Sequence, residues 1–164
     1  VLANAEPNTV RNALWWMMGS VADGTWTQIG VLLLYVLAGG AALILLGRHI
    51  DVLALGEDTA AGLGINVDVT IRRVFILASL VAAATVSAAG LVGFVGLVVP
   101  HLVRAAGVRR HRSLIVGSAL TGATLVVLAD LLARVLMPPA ELPLGAVTAL
   151  IGVPFFLVKL RRLV

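Results

Sequence analysis

Residues 27–47 read TQIGVLLLYVLAGGAALILLG, 21 residues without a charge. At about 1.5 Å per residue, a helix of that length matches the roughly 30 Å hydrocarbon core of a bilayer. The rest of the chain agrees with this run. Hydrophobic residues make up 60% of the 164, charged residues only 12%, and mean hydropathy is +1.08. A soluble domain usually carries about a quarter charged residues. The composition therefore predicts an all-α integral membrane protein.

Working outward, three tryptophans (Trp15, Trp16 and Trp26) precede the run, as an interfacial aromatic belt does. Residues 1–26 read as an outer segment with a short interfacial helix in TVRNALWWMM, residues 9–18. The chain starts at Val1, and VLANAEPNTVRN has neither a basic nor an apolar leader region, which reads as a fragment or a processed piece. After the first run, residues 48–73 carry four acids and three arginines and cannot span. A second apolar run covers 74–92. A short third segment, FVGLVVPHLVRAAG, ends in Arg104, Arg109, Arg110 and Arg112. A fourth run covers 113–136, and after the turn MPPAELP a fifth reaches Lys159. The expectation is one transmembrane domain over 1–164 with about five membrane-spanning helices.

Alternation of five spans puts residues 48–73, 104–112 and 159–164 on one side. That side collects ten of the twelve Lys and Arg, so the positive-inside rule makes it cytoplasmic, with the N-terminal residues outside and the C-terminus inside. A re-entrant third segment would spoil the alternation. The basic residues sit at the ends of apolar runs and form no polar face, which excludes nucleic-acid binding despite a pI near 11.1. There is no cysteine for a disulfide or thiolate site. No Gly-x-x-x-x-Gly-Lys-Ser/Thr phosphate loop is present.

Several residues stand out inside this frame. The small pairs Ala83/Ser87 and Ser118/Gly122 have the spacing that lets helices approach closely in lipid. Asp130 and Arg134, four apart, can neutralise each other on one helix face. Pro100 and Pro154 each remove a backbone donor and bend a helix. His101 has no second ligand at helical spacing, so a local hydrogen bond beside the broken backbone is its expected role and no metal site is expected. The stretch DVLALGEDTAAGLG reads as two short helices broken at Gly56 and at Gly62 or Gly64. Glu57 and Asp58 suit a helix N-terminus, and Val52, Leu53, Leu55 and Leu63 form a small apolar set. On these residues alone it is either a linker on the headgroups or a docking element for a partner.

The runs GLVGFVGLVVPHLVRAAG (90–107), SALTGATLVVLADLLAR (118–134) and ELPLGAVTALIGVPFF (141–156), with WWMMGS (15–20) and LALGEDTAAGLGINV (53–67), resemble the FecCD-type permeases. These are the membrane subunits of ATP-binding-cassette importers for iron–siderophores, haem and cobalamin. The resemblance covers the whole chain and matches the last five of about ten spans. It implies a transport subunit of the cytoplasmic membrane that is not an enzyme, with no catalytic residue and no cofactor bound directly. ATP would be used by a separate subunit. Its implied partners are a second permease subunit, two ATPase subunits, an extracytoplasmic substrate-binding protein and the lipid bilayer.

The resemblance also implies residue roles. Leu53, Ala54, Leu55, Gly56, Glu57, Asp58, Gly62, Leu63 and Gly64, within a cytoplasmic coupling segment over 48–73, would contact the ATPase. Arg134 would help dock the acidic lobe of the binding protein, and residues 9–18 would form the short outer helix flanking the translocation path. The chain departs from the family pattern at Arg110, where an acidic residue usually precedes His-Arg, and at Ile115–Val116, where Leu-Pro is usual. Two other readings compete. A proton-coupled carrier would want several acids inside the bundle, and only Asp130 is there. An intramembrane enzyme would need a nucleophile and base, and Ser79, Ser87, His101 and Asp130 form no convincing pair.

Overall fold

A computed structural model describes residues 16–21, 24–136 and 142–161 of the chain. Among the described residues, six helices follow in order: α1 Trp26–Leu53, α2 Glu57–Gly62, α3 Val67–Ala89, α4 Val95–Ala105, α5 His111–Val135 and α6 Leu144–Arg161. No strand occurs among the described residues. Three helices, α1, α3 and α5, are long and apolar enough to cross a membrane, while α4 and the apolar part of α6, Leu144–Leu157, are shorter.

Helix α1 starts at a capping box. Thr25 Oγ1 accepts from the Gln28 amide, and the Gln28 side chain accepts from the Thr25 amide. The helix then runs 28 residues, about 42 Å, well past the apolar run. Arg48, His49 and Asp51 are therefore helical. Asn66 caps α3 by accepting from Val69 at 3.1 Å. The expected polar connection over 48–73 thus contracts to residues 54–66, its two ends being absorbed by α1 and α3. Only one short helix, α2, lies inside it, preceded by Gly56 at φ 112 and followed by Gly64 at φ 83.

The third segment is short, as its sequence predicts. Its helix, α4, has 11 residues and a length of about 16 Å, roughly half of a hydrocarbon core. Yet the chain does pass from one end of the bundle to the other. Ala89 and Leu91 meet Gly19, Ser20 and Gly145 at one end, while Arg104 meets His111, and His111 meets Asp51, at the opposite end. Residues 90–94 cover the first part of the crossing as non-helical backbone, with Gly90 and Phe94 at positive φ. The crossing is part non-helical chain and part helix. Pro100 lies inside α4 and Pro154 inside α6.

Packing is centred on α5, which lies against α1, α4 and α6, while α1 also packs on α3. The buried clusters are small. Ala129 and Ala133 of α5 meet Leu144 and Val147 of α6, and Val99 and Val103 of α4 meet Leu114 of α5. Gly122 lies under the methyls of Val95 and Val99, so the Ser118/Gly122 pair does face a neighbouring helix. Ala83 and Ser87, expected to do the same, are exposed. Most large apolar side chains also face outward, among them Phe75 and Leu150, each more than 70% exposed. Such a surface suits lipid or further membrane helices and is unsuited to water.

Candidate functional site

The end of the bundle that holds residues 54–66 carries the first candidate site. Leu55 and Leu63 project outward, 68% and 65% exposed, from either side of α2. Val52 and Leu53 are half-buried, so they belong to the fold more than to the exposed stripe. Ala54, Gly56, Glu57, Asp58, Gly62 and Gly64 are exposed. Glu57 and Asp58 occupy the first turn of α2, where the free amides favour negative charge. Ala60, fully buried, anchors this short helix. The result is a small platform with two leucines on its surface and acids at one rim. A platform of that kind can dock into an apolar groove lined with basic groups.

Behind it lies a contact that sequence reasoning missed. Asp51 Oδ1 accepts from the backbone amide of His111 at 2.9 Å and from its ring Nδ1 at 2.7 Å. The other ring nitrogen, Nε2, lies 3.4 Å from a guanidinium nitrogen of Arg104. The two neighbours assign the tautomer. Nδ1–H donates to the carboxylate, and the Nε2 lone pair accepts from Arg104. Arg110, the N-cap of α5, offers no side-chain cap, so Asp51 caps α5 from another helix. Arg112 adds a second tie by donating to the Leu45 carbonyl at 3.3 Å. No local signal could have revealed a pair 60 residues apart.

The opposite end carries the second candidate. Arg134, in the last turn of α5, donates from Nε to Asp130 Oδ2 at 2.9 Å and from a terminal nitrogen to Oδ1 at 3.4 Å. The pair is partly exposed, and a cation in a last turn is favoured by the helix dipole. Near this end three stretches of backbone interlock. Ser20 donates to the Ala89 carbonyl at 3.0 Å, Leu144 to Gly19 at 3.2 Å and Gly145 to Met18 at 3.0 Å. Gly90 and Gly145 make the approach possible. A Cβ on Gly145 would stand 2.8 Å from the Met18 carbonyl oxygen, and one on Gly90 would strike the Trp16 carbonyl oxygen. Phe94 enters α4 in the left-handed conformation, φ 63, with its ring against Gly152 of α6. A bulky residue there carries about 1–3 kcal/mol of strain.

His101 is exposed, and its Nδ1 lies 2.6 Å from the Leu97 carbonyl, one residue after the donor that Pro100 lacks. Among the described residues, no group of three or more His, Asp or Glu is placed to hold a metal. Of the outer segment, only Trp16–Val21 is described before Gly24, so the helix expected over 9–18 lies mostly outside the described residues, as does most of the MPPAELP turn.

Comparison with known proteins adds to this geometry. The model of the FecCD transport family matches residues 1–162. The chain is 45% identical over 152 residues to the cobalamin import system permease protein BtuC of Halobacterium salinarum, covering 93% of the chain and 41% of that protein. It is 41% identical over 159 residues to the Fe(3+) dicitrate transport system permease protein FecD of Escherichia coli, with coverages of 97% and 50%. It is 39% identical over 158 residues to the hemin transport system permease protein HmuU of Yersinia pestis, with coverages of 96% and 47%. A solved metal-chelate type ABC transporter in an inward-facing conformation superposes with a TM-score of 0.87 at 32% identity, covering 96% of this chain and 51% of that one. The chain spans about half the length of these relatives.

Proposed function

This chain belongs to the FecCD transport family, and from that premise we propose that it forms about half of a permease subunit that moves an iron–siderophore, haem or cobalamin across the cytoplasmic membrane. It is a transport element rather than an enzyme. The observation that carries the proposal is the near-complete match to permeases named for cobalamin, ferric dicitrate and hemin import.

In this reading two permease subunits line the path, and two ATPase subunits bind below them at residues 54–66. Leu55 and Leu63 enter the ATPase groove, and Glu57 and Asp58 meet its basic rim. That end and the C-terminus face the cytoplasm, as the ten-to-two bias of Lys and Arg favours. Arg134, at the other end, meets an acidic lobe of the substrate-binding protein. The permease itself uses no cofactor, and ATP is consumed by the partner.

The test takes the whole permease that carries this chain, co-expressed with an ATPase and a binding protein of the same importer class. ATP-dependent uptake of a labelled ferric siderophore, hemin or cobalamin into proteoliposomes is the expected result. A permease that retains no ATPase and moves none of the three would overturn the proposal.

A further inference from the structure

The Asp51–His111–Arg104 contact joins three helices that the sequence keeps apart: the end of α1, the start of α5 and the end of α4. Its position is what gives it meaning. Asp51 is the third residue before residues 54–66, on a helix that runs into that segment without a break. His111 is the first residue of α5, the helix against which α1, α4 and α6 all pack.

Displacement of the 54–66 platform has two ways into the bundle. One passes from α2, anchored by the buried Ala60, to α3, against which α2 packs. The other passes along the rigid end of α1 to Asp51. There the carboxylate holds α5 by its first amide and by the His111 ring, and the far side of that ring holds Arg104. Both ring nitrogens are engaged, so the imidazole cannot turn without losing a partner. Arg112 on Leu45 strengthens the same α1–α5 seam but does not reach α4.

We propose that Asp51, His111 and Arg104 are positioning residues that carry motion of the 54–66 segment into α4 and α5, so that ATP hydrolysis by the docked ATPase moves the membrane helices. This rests on the transport reading above. In that reading the platform receives force, and a bundle this lightly packed needs polar ties to move as a unit. Chains of discrete contacts of this kind can bias a two-state element at a distance, and measured coupling is what establishes them.

The experiment uses the whole permease with its ATPase and binding protein in proteoliposomes. It measures substrate moved per ATP hydrolysed, ATPase retention in pull-downs and the amount of folded permease. Asp51→Ala and His111→Ala should each lower substrate moved per ATP about tenfold while ATPase retention stays normal. The double variant should be no worse than either single, because the two act as one unit. Asp51→Asn, which keeps an acceptor for the His111 amide, should lose less than threefold. A merely structural role would lower the amount of protein and leave the ratio unchanged.

The proposal is overturned by an unchanged ratio in both alanine variants, by a double variant whose loss is the product of the singles, or by ATPase retention that falls in step with transport. Loss of folded permease in Asp51→Asn as well as in the alanine variants also overturns it. If the unsubstituted permease neither retains an ATPase nor transports, the transport reading itself fails, which is a distinct result.

Discussion

Replacing Gly145 by alanine tests the interlocked backbone at the end of the bundle away from residues 54–66. The new Cβ would stand 2.8 Å from the Met18 carbonyl oxygen and 3.0 Å from that of Leu91. Both are main-chain atoms and cannot rotate aside. Overpacking of this kind costs about 1–3 kcal/mol. Relief requires the Met18–Gly19 stretch to move away, which breaks the bonds from Gly145 to Met18 and from Leu144 to Gly19. Each is worth about 0.5–1.5 kcal/mol net. Partial relaxation trades one loss for the other, so the expected destabilisation is about 1–3 kcal/mol. Gly96→Ala is the control: nothing lies within 4 Å of its Cβ position, and an alanine inside α4 should gain about 0.5–1 kcal/mol of helix stability. Reversible unfolding of the purified permease in mixed micelles gives both numbers. If Gly145→Ala stays within about 0.5 kcal/mol of wild type, or Gly96→Ala is the worse of the two, the close three-strand approach is not what holds this end together.

Three further outcomes are expected. Leu55→Asp and Leu63→Asp should each weaken ATPase binding in surface-immobilised pull-downs by about 5–30-fold. A leucine that is two-thirds exposed can bury about 1–2 kcal/mol of apolar surface in a groove; affinity unchanged in both would show that the platform faces lipid headgroups. Arg134→Glu should reduce capture of the binding protein and flatten its salt dependence, with Arg134→Lys milder; complete failure of the permease to assemble would make the Asp130 pair structural. In intact cells, a cysteine at Gly24 should react with an impermeant thiol reagent and one at Arg109 should not, and the reverse pattern would invert the assigned orientation.

What the sequence revealed divides by distance along the chain. The Asp130–Arg134 pair was readable because four residues on a helix is a local rule. The start of α2 was readable from Glu57 and Asp58 for the same reason. The end of α1 was misplaced because the apolar run stops at Gly47 while the backbone does not. Between Arg48 and Ala54 no residue forbids helix, and the breaker comes only at Gly56. The late start of α4 was legible in Gly90 and Gly93, which set the third segment off from the second run, but nothing marked the left-handed Phe94 that enters it. Asp51 and His111 carry no mutual signal at all, since their meeting depends on how α1 and α5 cross. Ala83 and Ser87 show the converse: a packing motif was present, but both residues are exposed among the described residues.

The short α4 has a consequence for how this protein is made. Eleven residues, with Pro100 among them and Arg104 near the end, hold too little apolar length to leave the insertion machinery for lipid unaided. Helices α3 and α5 each have enough. As the ribosome delivers the chain, α3 can partition first, but α4 stays unsettled until α5 arrives and Leu114 closes on Val99 and Val103. For most of the chain, entering the membrane and folding there are separate events. For α4 they are one, so a substitution that weakens the Val99–Leu114 contact should keep the segment from crossing the bilayer during synthesis and lower the amount of folded protein.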